Sequence, residues 1–255
     1  MSFELPAVPA GSGAHPIALV VLSANDPAAS SAFYFTLFGW QFQPLSPELT
    51  AIIPPGGPMA ALRANVPAGT PGMVPYISVP DVEAMLARVV AAGGAIERAP
   101  WSVSMIGKLA RFTDLGGTIY GLTEAVAPAG TQRIPMPLGT NPKPAAGGIC
   151  SLEMYAADGA AAARFFGGLF SWGALATMQH YMAFDPGVGV GGVFQSHTPA
   201  MPALAYIYAP DVEAKLTEID ATGGKRRGDA MRMPGAGCFG YFTDPSGASM
   251  GLIGP

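Results

Sequence analysis

The sequence predicts an α+β protein made of two tandem halves, each containing two strand-helix-strands units. Three observations lead there. The stretch from Phe33 to Trp40 (FYFTLFGW) returns in varied form from Phe165 to Trp172 (FFGGLFSW). Seven markers recur at almost one offset: Asp26/Asp158, Phe33/Phe165 and Trp40/Trp172 lie 132 apart, and Asp81/Asp211, Gly94/Gly224, Asp114/Asp244 and Gly121/Gly251 lie 130 apart. A two-residue deletion reconciles the two offsets, and such self-similarity is the signature of internal duplication. Within each half, a short apolar run followed by a pattern of helical period occurs twice.

Ile17 to Ser23 is an aliphatic run suited to a strand buried on both faces. Asp26-Pro27 then supplies a helix cap and a first-turn proline, and Ala29, Ala32, Phe33, Thr36 and Leu37 follow at the spacing of one helix face. From Gln41 to Asn65 the pattern is short and broken by Pro54-Pro55-Gly56-Gly57-Pro58, as strands joined by turns require. A second strand runs from Val74 to Val79. Asp81 caps the next helix, whose Val82, Met85, Leu86, Val89 and Val90 form one face, and Gly93-Gly94 ends it. Strands at Leu109 to Thr113 and Thr118 to Thr123 turn at Asp114-Leu115-Gly116-Gly117. Residues 1–14 lack periodicity and read as an arm; residues 126–147 are too dense in proline for a helix or central strand and read as a linker. The two domains are therefore expected at 15–125 and 148–255.

A formal charge of -4 with no long run of either sign argues against a nucleic-acid footprint or an anionic membrane surface. The basic cluster Lys225-Arg226-Arg227 follows Gly223-Gly224 and reads as a solvated turn after a helix. No apolar stretch is long enough to span a bilayer, and Glu4 precedes the first apolar run without Lys or Arg. A cytoplasmic location is the expectation. Cys150 and Cys238 have no metal-site spacing and read as small buried residues.

Asp26-Pro27, Phe33-Tyr34, Leu37-Phe38-Gly39-Trp40, Val79-Pro80-Asp81-Val82, Ala91-Ala92-Gly93-Gly94 and Asp114-Leu115-Gly116-Gly117, with Asp244-Pro245-Ser246-Gly247 as a fuller version of the last, make the chain resemble the glyoxalase, bleomycin-resistance and extradiol-dioxygenase superfamily. It is most similar to the tandem two-domain, glyoxalase-like proteins of bacteria. The resemblance implies paired βαβββ units in each domain, a cup-shaped mixed sheet with helices outside, and a small ligand in the cup. Metal-dependent members carry His, Gln or Glu on the first strand of each unit and Glu on a last strand. Registering on the shared markers puts Leu19, Val74 and Gly121 at those places in the first half and Ser151, Leu204 and Gly251 in the second, with Ala60 and Gly192 near the remaining two. These side chains offer no convergent set of donors, so no metal and no other cofactor is expected.

If Ser151 holds the old ligand position, strand alternation turns Glu153 and Tyr155 toward the same cup. The related tandem proteins commonly carry a Glu at the place of Glu153. A carboxylate in an apolar cup has a raised pKa and can serve as acid or base, or it can pair with a backbone donor or reach solvent at the rim. Tyr76 and Tyr206 are equivalent by the 130 offset and should face their cups, as should Tyr208. His180, in Met178-Gln179-His180-Tyr181, reads as lying on a strand of the second cup. The expected site is thus Glu153, His180 and Tyr206 for chemistry, with Ser151, Tyr155, Tyr208 and Tyr76 against the ligand. The expected partner is a small, largely apolar organic molecule, with binding alone or metal-independent lyase or isomerase chemistry as its purpose; dimerisation is left open. Two alternatives stand beside this: a metal-dependent lyase or dioxygenase with displaced ligands such as Glu153, His180 and Glu124, and a structural protein whose cups are filled by side chains.

Overall fold

A computed structural model describes residues 15–67, 72–103, 106–124, 144–199 and 203–255. The expected arm at 1–14 and positions 126–143 of the expected linker lie outside them. The first half contains β1 (Ile17–Ser23), α1 (Pro27–Phe38), β2 (Gln41–Ser46), β3 (Leu49–Ile53), β4 (Met59–Arg63), β5 (Met73–Ser78), α2 (Val82–Ala91), β6 (Ala95–Val103), β7 (Gly107–Thr113) and β8 (Ile119–Thr123). The second contains β9 (Ile149–Tyr155), α3 (Gly159–Phe170), β10 (Gly173–Met178), β11 (Tyr181–Asp185), β12 (Gly192–Gln195), β13 (Ala203–Tyr208), α4 (Val212–Ala221), β14 (Lys225–Arg226), β15 (Met231–Met233), β16 (Gly237–Thr243) and β17 (Ser249–Gly254).

Each half forms one mixed sheet. The first has the order β2-β3-β4-β1-β5-β8-β7-β6, and the second β10-β11-β12-β9-β13-β17-β16-β14, with β15 also on β16. The last strand of each unit returns parallel to its first, as β4 does to β1 and β8 to β5, while β1 and β5 meet antiparallel at the centre. Leu45 and Ser46 of β2 and Arg98 and Trp101 of β6 come from opposite edges of the first sheet, yet they line one cavity of about 430 Å³. The sheet is therefore curled into a cup.

The four helices of the described residues all start in the same way. Asp26, Asp81, Asp158 and Asp211 each accept a hydrogen bond from the backbone N–H three residues on, at 2.8–2.9 Å, which satisfies a donor that the first turn would otherwise leave unpaired. The hairpin aspartates work similarly. Asp114 accepts from the N–H groups of Gly116 and Thr118, and Asp244 from Ala248 and from the Ser30 hydroxyl of the other half.

The faces of the sheets turned away from the cups share a single hydrophobic core. Phe33 of α1 lies 6.0 Å from Phe242 of β16, and Phe165 of α3 lies 6.5 Å from Phe112 of β7, centroid to centroid. Two tryptophans close this junction reciprocally: the Trp40 indole donates to the Gly147 carbonyl at 2.7 Å, and the Trp172 indole to the His15 carbonyl at 2.8 Å. Cys150 and Cys238 are free and buried, as expected. No helix among the described residues is long and apolar enough to cross a membrane.

Two local readings change. Lys225-Arg226 is not a turn but a strand, β14, on β16; the Arg226 guanidinium bridges Glu213 and Asp220 at 2.8 and 2.6 Å, so the cluster is fixed by local ion pairs. The nine residues of β6, interrupted by Pro100 and two register shifts against β7, carry no clean alternation and were not foreseen as a strand.

Candidate active site in the C-terminal cup

The register of β9 against β13 shifts between the Ser151/Tyr206 and Ile149/Ile207 pairs. Past this irregularity, Leu152 and Met154 enter the shared core, leaving Ser151, Glu153 and Tyr155 on the opposite, cup face. Ser151 is buried in register with Tyr206; Tyr155 ends the strand half-buried, its carbonyl accepting from Thr118. From β13, Leu204, Tyr206 and Tyr208 join Phe239 and Tyr241 of β16 in a separate cup-side cluster.

The polar centre of this cup is a chain of three groups. The Tyr206 hydroxyl donates to Glu153 Oε2 at 2.6 Å and lies 2.9 Å from the Tyr241 hydroxyl. Burial pushes the Glu153 carboxyl above its ordinary range, opposed by the Tyr206 hydrogen bond and by the His197 ring. Burial likewise raises Tyr206 and Tyr241, reinforced by the charge of Glu153. Toward the rim, the Tyr181 hydroxyl meets His197 Nε2 at 3.2 Å, and Tyr181 is pushed up to about 12 by burial and then by Glu153. Gln195 holds the loop carrying His197: its Oε1 accepts from the N–H groups of His197 and Thr198, and its amide donates to the Thr198 carbonyl.

Glu153, Tyr206, Ser151 and Tyr208 therefore meet in one cup, with Tyr155 at its edge and Tyr76 in the other cup. His180 is corrected. It does not lie on a strand but in the turn between paired Met178 and Tyr181, at φ 68°, exposed, with its Nδ1 3.2 Å from Ser196 Oγ. A left-handed backbone at the second residue of a two-residue hairpin ends strand pairing there. Its neighbour Tyr181 and the distant His197 supply the groups near Glu153 instead. Tyr241 is equivalent to Arg111 at the 130 offset, so the repeat itself held the signal for it; nothing comparable marked His197.

The positions at which the resemblance implies metal ligands do not suit a cation here. Gly121 pairs with Tyr76 and Gly251 with Tyr206, and a Cβ at either glycine would come within 2.0 and 2.4 Å of those rings. The tyrosine rings occupy the space into which a last-strand ligand would project. Leu19, Val74, Leu204 and a lone Ser151 complete the set, which lacks the convergent nitrogen or carboxylate donors a divalent ion needs. Ala60 and Gly192 are not cup positions: Ala60 belongs to the shared core, and Gly192 abuts Leu152 and Phe184 on that side. Among the described residues, Asp81, Glu83 and Glu124 are the acids close enough together for a cation, but they sit at the start of α2, where Lys108 bridges Glu83 and Glu124 and the Val82 N–H donates to Glu124. Glu124 thus stays with the first half, and the displaced set Glu153, His180 and Glu124 is not assembled.

Comparison with known proteins agrees with this architecture. The protein named "Putative glyoxylase CFP32" of Mycobacterium tuberculosis is 27% identical over 252 residues, covering 92% of this chain and 93% of that one. Among solved structures, the Mn(II)-bound glyoxalase from Novosphingobium aromaticivorans superposes with a TM-score of 0.69 at 15% identity, covering 94% of this chain and 82% of that one. The 2,3-dioxygenase LapB from Pseudomonas sp. KL28 gives 0.65 at 14% identity, covering 95% and 92%. At such identities these two likenesses speak to the fold alone. Residues 16–120 match the model of the Glyoxalase/Bleomycin resistance protein/Dioxygenase superfamily, and the second half repeats the same pair of units.

Proposed function

We propose that the protein binds a small, largely apolar carbonyl compound in its C-terminal cup and moves a proton on it without the metal of its relatives, as an isomerase or lyase. The observation that carries this reading is the buried Glu153-Tyr206-Tyr241 chain, with hydrogen bonds of 2.6 and 2.9 Å. When ionised, Glu153 is the base for a proton on the carbon beside the carbonyl. Returning that proton to a neighbouring atom completes an isomerisation, and expelling a β-substituent completes a lyase reaction. While Glu153 is ionised, Tyr206 donates to it and Tyr241 donates to Tyr206; once Glu153 carries the proton the chain can reverse, which frees the Tyr241 O–H to hold the oxygen on which charge develops. Ser151 and Tyr208 form walls around the ligand, and Tyr181 with His197 stands at the mouth.

The test is proton exchange in D2O, followed by NMR over a panel of small ketones and aldehydes, with metal content measured on the same sample. The parent protein is expected to exchange the proton beside the carbonyl, and Glu153→Gln to lose this by about 100-fold or more. Unchanged exchange in the variant, or a stoichiometric metal that survives mild chelation, would sink the reading.

Stability offers a second handle on the same carboxyl. Because the native state holds the Glu153 proton more tightly than the unfolded chain does, the carboxyl's contribution to stability falls as pH rises from the ordinary carboxylate range through its raised native pKa. Glu153→Gln removes that loss. In urea titrations at a series of pH values, the stability of the variant relative to the parent is expected to increase between about pH 4 and pH 7, whereas a flat difference would mean that Glu153 titrates normally.

A further inference from the structure

The N-terminal cup has the opposite electrostatic character from its counterpart. Across the repeat, Val21 stands for Glu153 and Arg111 for Tyr241, so a carboxyl is lost and a guanidinium gained. Three arginines border the cavity of about 430 Å³: Arg63 from β4, Arg98 from β6 and Arg111 from β7. Arg111 is held by Glu97, Nε to Oε2 at 2.6 Å and Nη2 to Oε1 at 3.0 Å. Arg63 and Arg98 have no ion pair among the described residues; Arg98 instead stacks its guanidinium carbon 3.9 Å from the centroid of Trp101. Glu48 is the acid that lines the wall. Leu19, Val21, Leu49, Ile106 and Leu109 give the cavity an apolar wall. The ring of Tyr76, seated on Gly121, adds a buried hydroxyl whose phenolate the three guanidinium charges favour, although burial outweighs them.

Guanidinium groups that face a cavity with free N–H forks are suited to a carboxylate, which can accept two parallel hydrogen bonds from one fork. The apolar wall and the face of Trp101 suit the hydrocarbon part of the same molecule. We propose that the N-terminal cup is a second ligand site, which takes a small organic acid with its apolar body on the Leu19-Leu109 wall and its carboxylate between Arg63 and Arg98. Its chemistry is independent of the role assigned to Glu153.

Isothermal titration calorimetry of the full chain with benzoate, 2-naphthoate and decanoate, each beside its neutral alcohol, tests this. At least one acid is expected to bind about tenfold or more tightly than its alcohol, and more weakly as salt is raised. Arg63→Gln and Arg98→Gln, both at positions that are not fully buried, should each weaken that acid about tenfold, and Glu153→Gln should leave it unchanged. Equal binding of acid and alcohol, loss of acid binding in Glu153→Gln with the arginine variants unaffected, or no binding of any acid up to about 1 mM would overturn the proposal. Circular dichroism of each variant separates loss of the site from loss of the fold.

Discussion

Phe166→Ala is expected to destabilise the protein by about 3–5 kcal/mol, a large part of the roughly 5–15 kcal/mol that holds a typical domain together. The ring is fully buried on α3 and stands 5.3 Å from Trp172, 5.3 Å from Phe194 and 4.8 Å from Tyr120. Tyr120 belongs to β8 of the first sheet, whereas the other two belong to the second half, so the cavity left by alanine would open at the seam between them. Neighbours tied to two sheets have little freedom to collapse into it. The same geometry predicts that the parent unfolds in one transition. Urea unfolding followed in parallel by tryptophan emission, with Trp40 and Trp101 reporting from the first half and Trp172 from the second, and by far-ultraviolet circular dichroism would check both statements. Two separated transitions in the parent, or a loss below about 1 kcal/mol in the variant, would contradict them.

Gly251→Ala is expected to cost about 1–3 kcal/mol by overpacking and to abolish proton exchange in the C-terminal cup. The new Cβ would come within 2.4 and 2.5 Å of two ring carbons of Tyr206. The ring is pinned by its hydroxyl on Glu153 and Tyr241, so it can relieve the clash only by giving up those bonds. The strain outweighs the roughly 0.5–1 kcal/mol that alanine would gain over glycine from the unfolded chain. Gly121→Ala is the matched control. It crowds Tyr76 at 2.0 Å and should be destabilised similarly, yet keep the exchange reaction, because Tyr76 lies in the other cup. Melting temperatures and exchange rates of the two variants side by side would show whether a glycine on the last strand is a packing device only, or also positions Tyr206.

Most of the architecture was legible because it is local and written twice. Each Asp cap is a short-range signal, and the fixed offset between halves carries every such signal to a second place. The two tryptophans were legible as markers of the repeat, but their reach to Gly147 and His15 crosses from one half to the other, which no local pattern encodes. In the site, alternation along β9 correctly grouped Ser151 with Glu153, since a buried strand leaves only two faces. Alternation failed at His180 because Met178-Gln179-His180-Tyr181 contains neither glycine nor asparagine to announce its turn. Tyr241 was recoverable from the offset, but His197 depends on a loop held by Gln195, a contact between side chain and backbone with no periodic trace.

The reciprocal tryptophan bonds bear on how such a chain came to exist. Trp40 reaches Gly147, Trp172 reaches His15, and each pair is the other moved by 132 positions. A contact in which residue i meets j while the equivalent of i meets the equivalent of j is what two identical subunits make across a two-fold axis. The two halves therefore meet as the subunits of an isologous dimer would. In such a lineage, fusion of duplicated genes would keep an interface that had already been selected while releasing its two copies to diverge, one toward a carboxylate and its tyrosines, the other toward arginines.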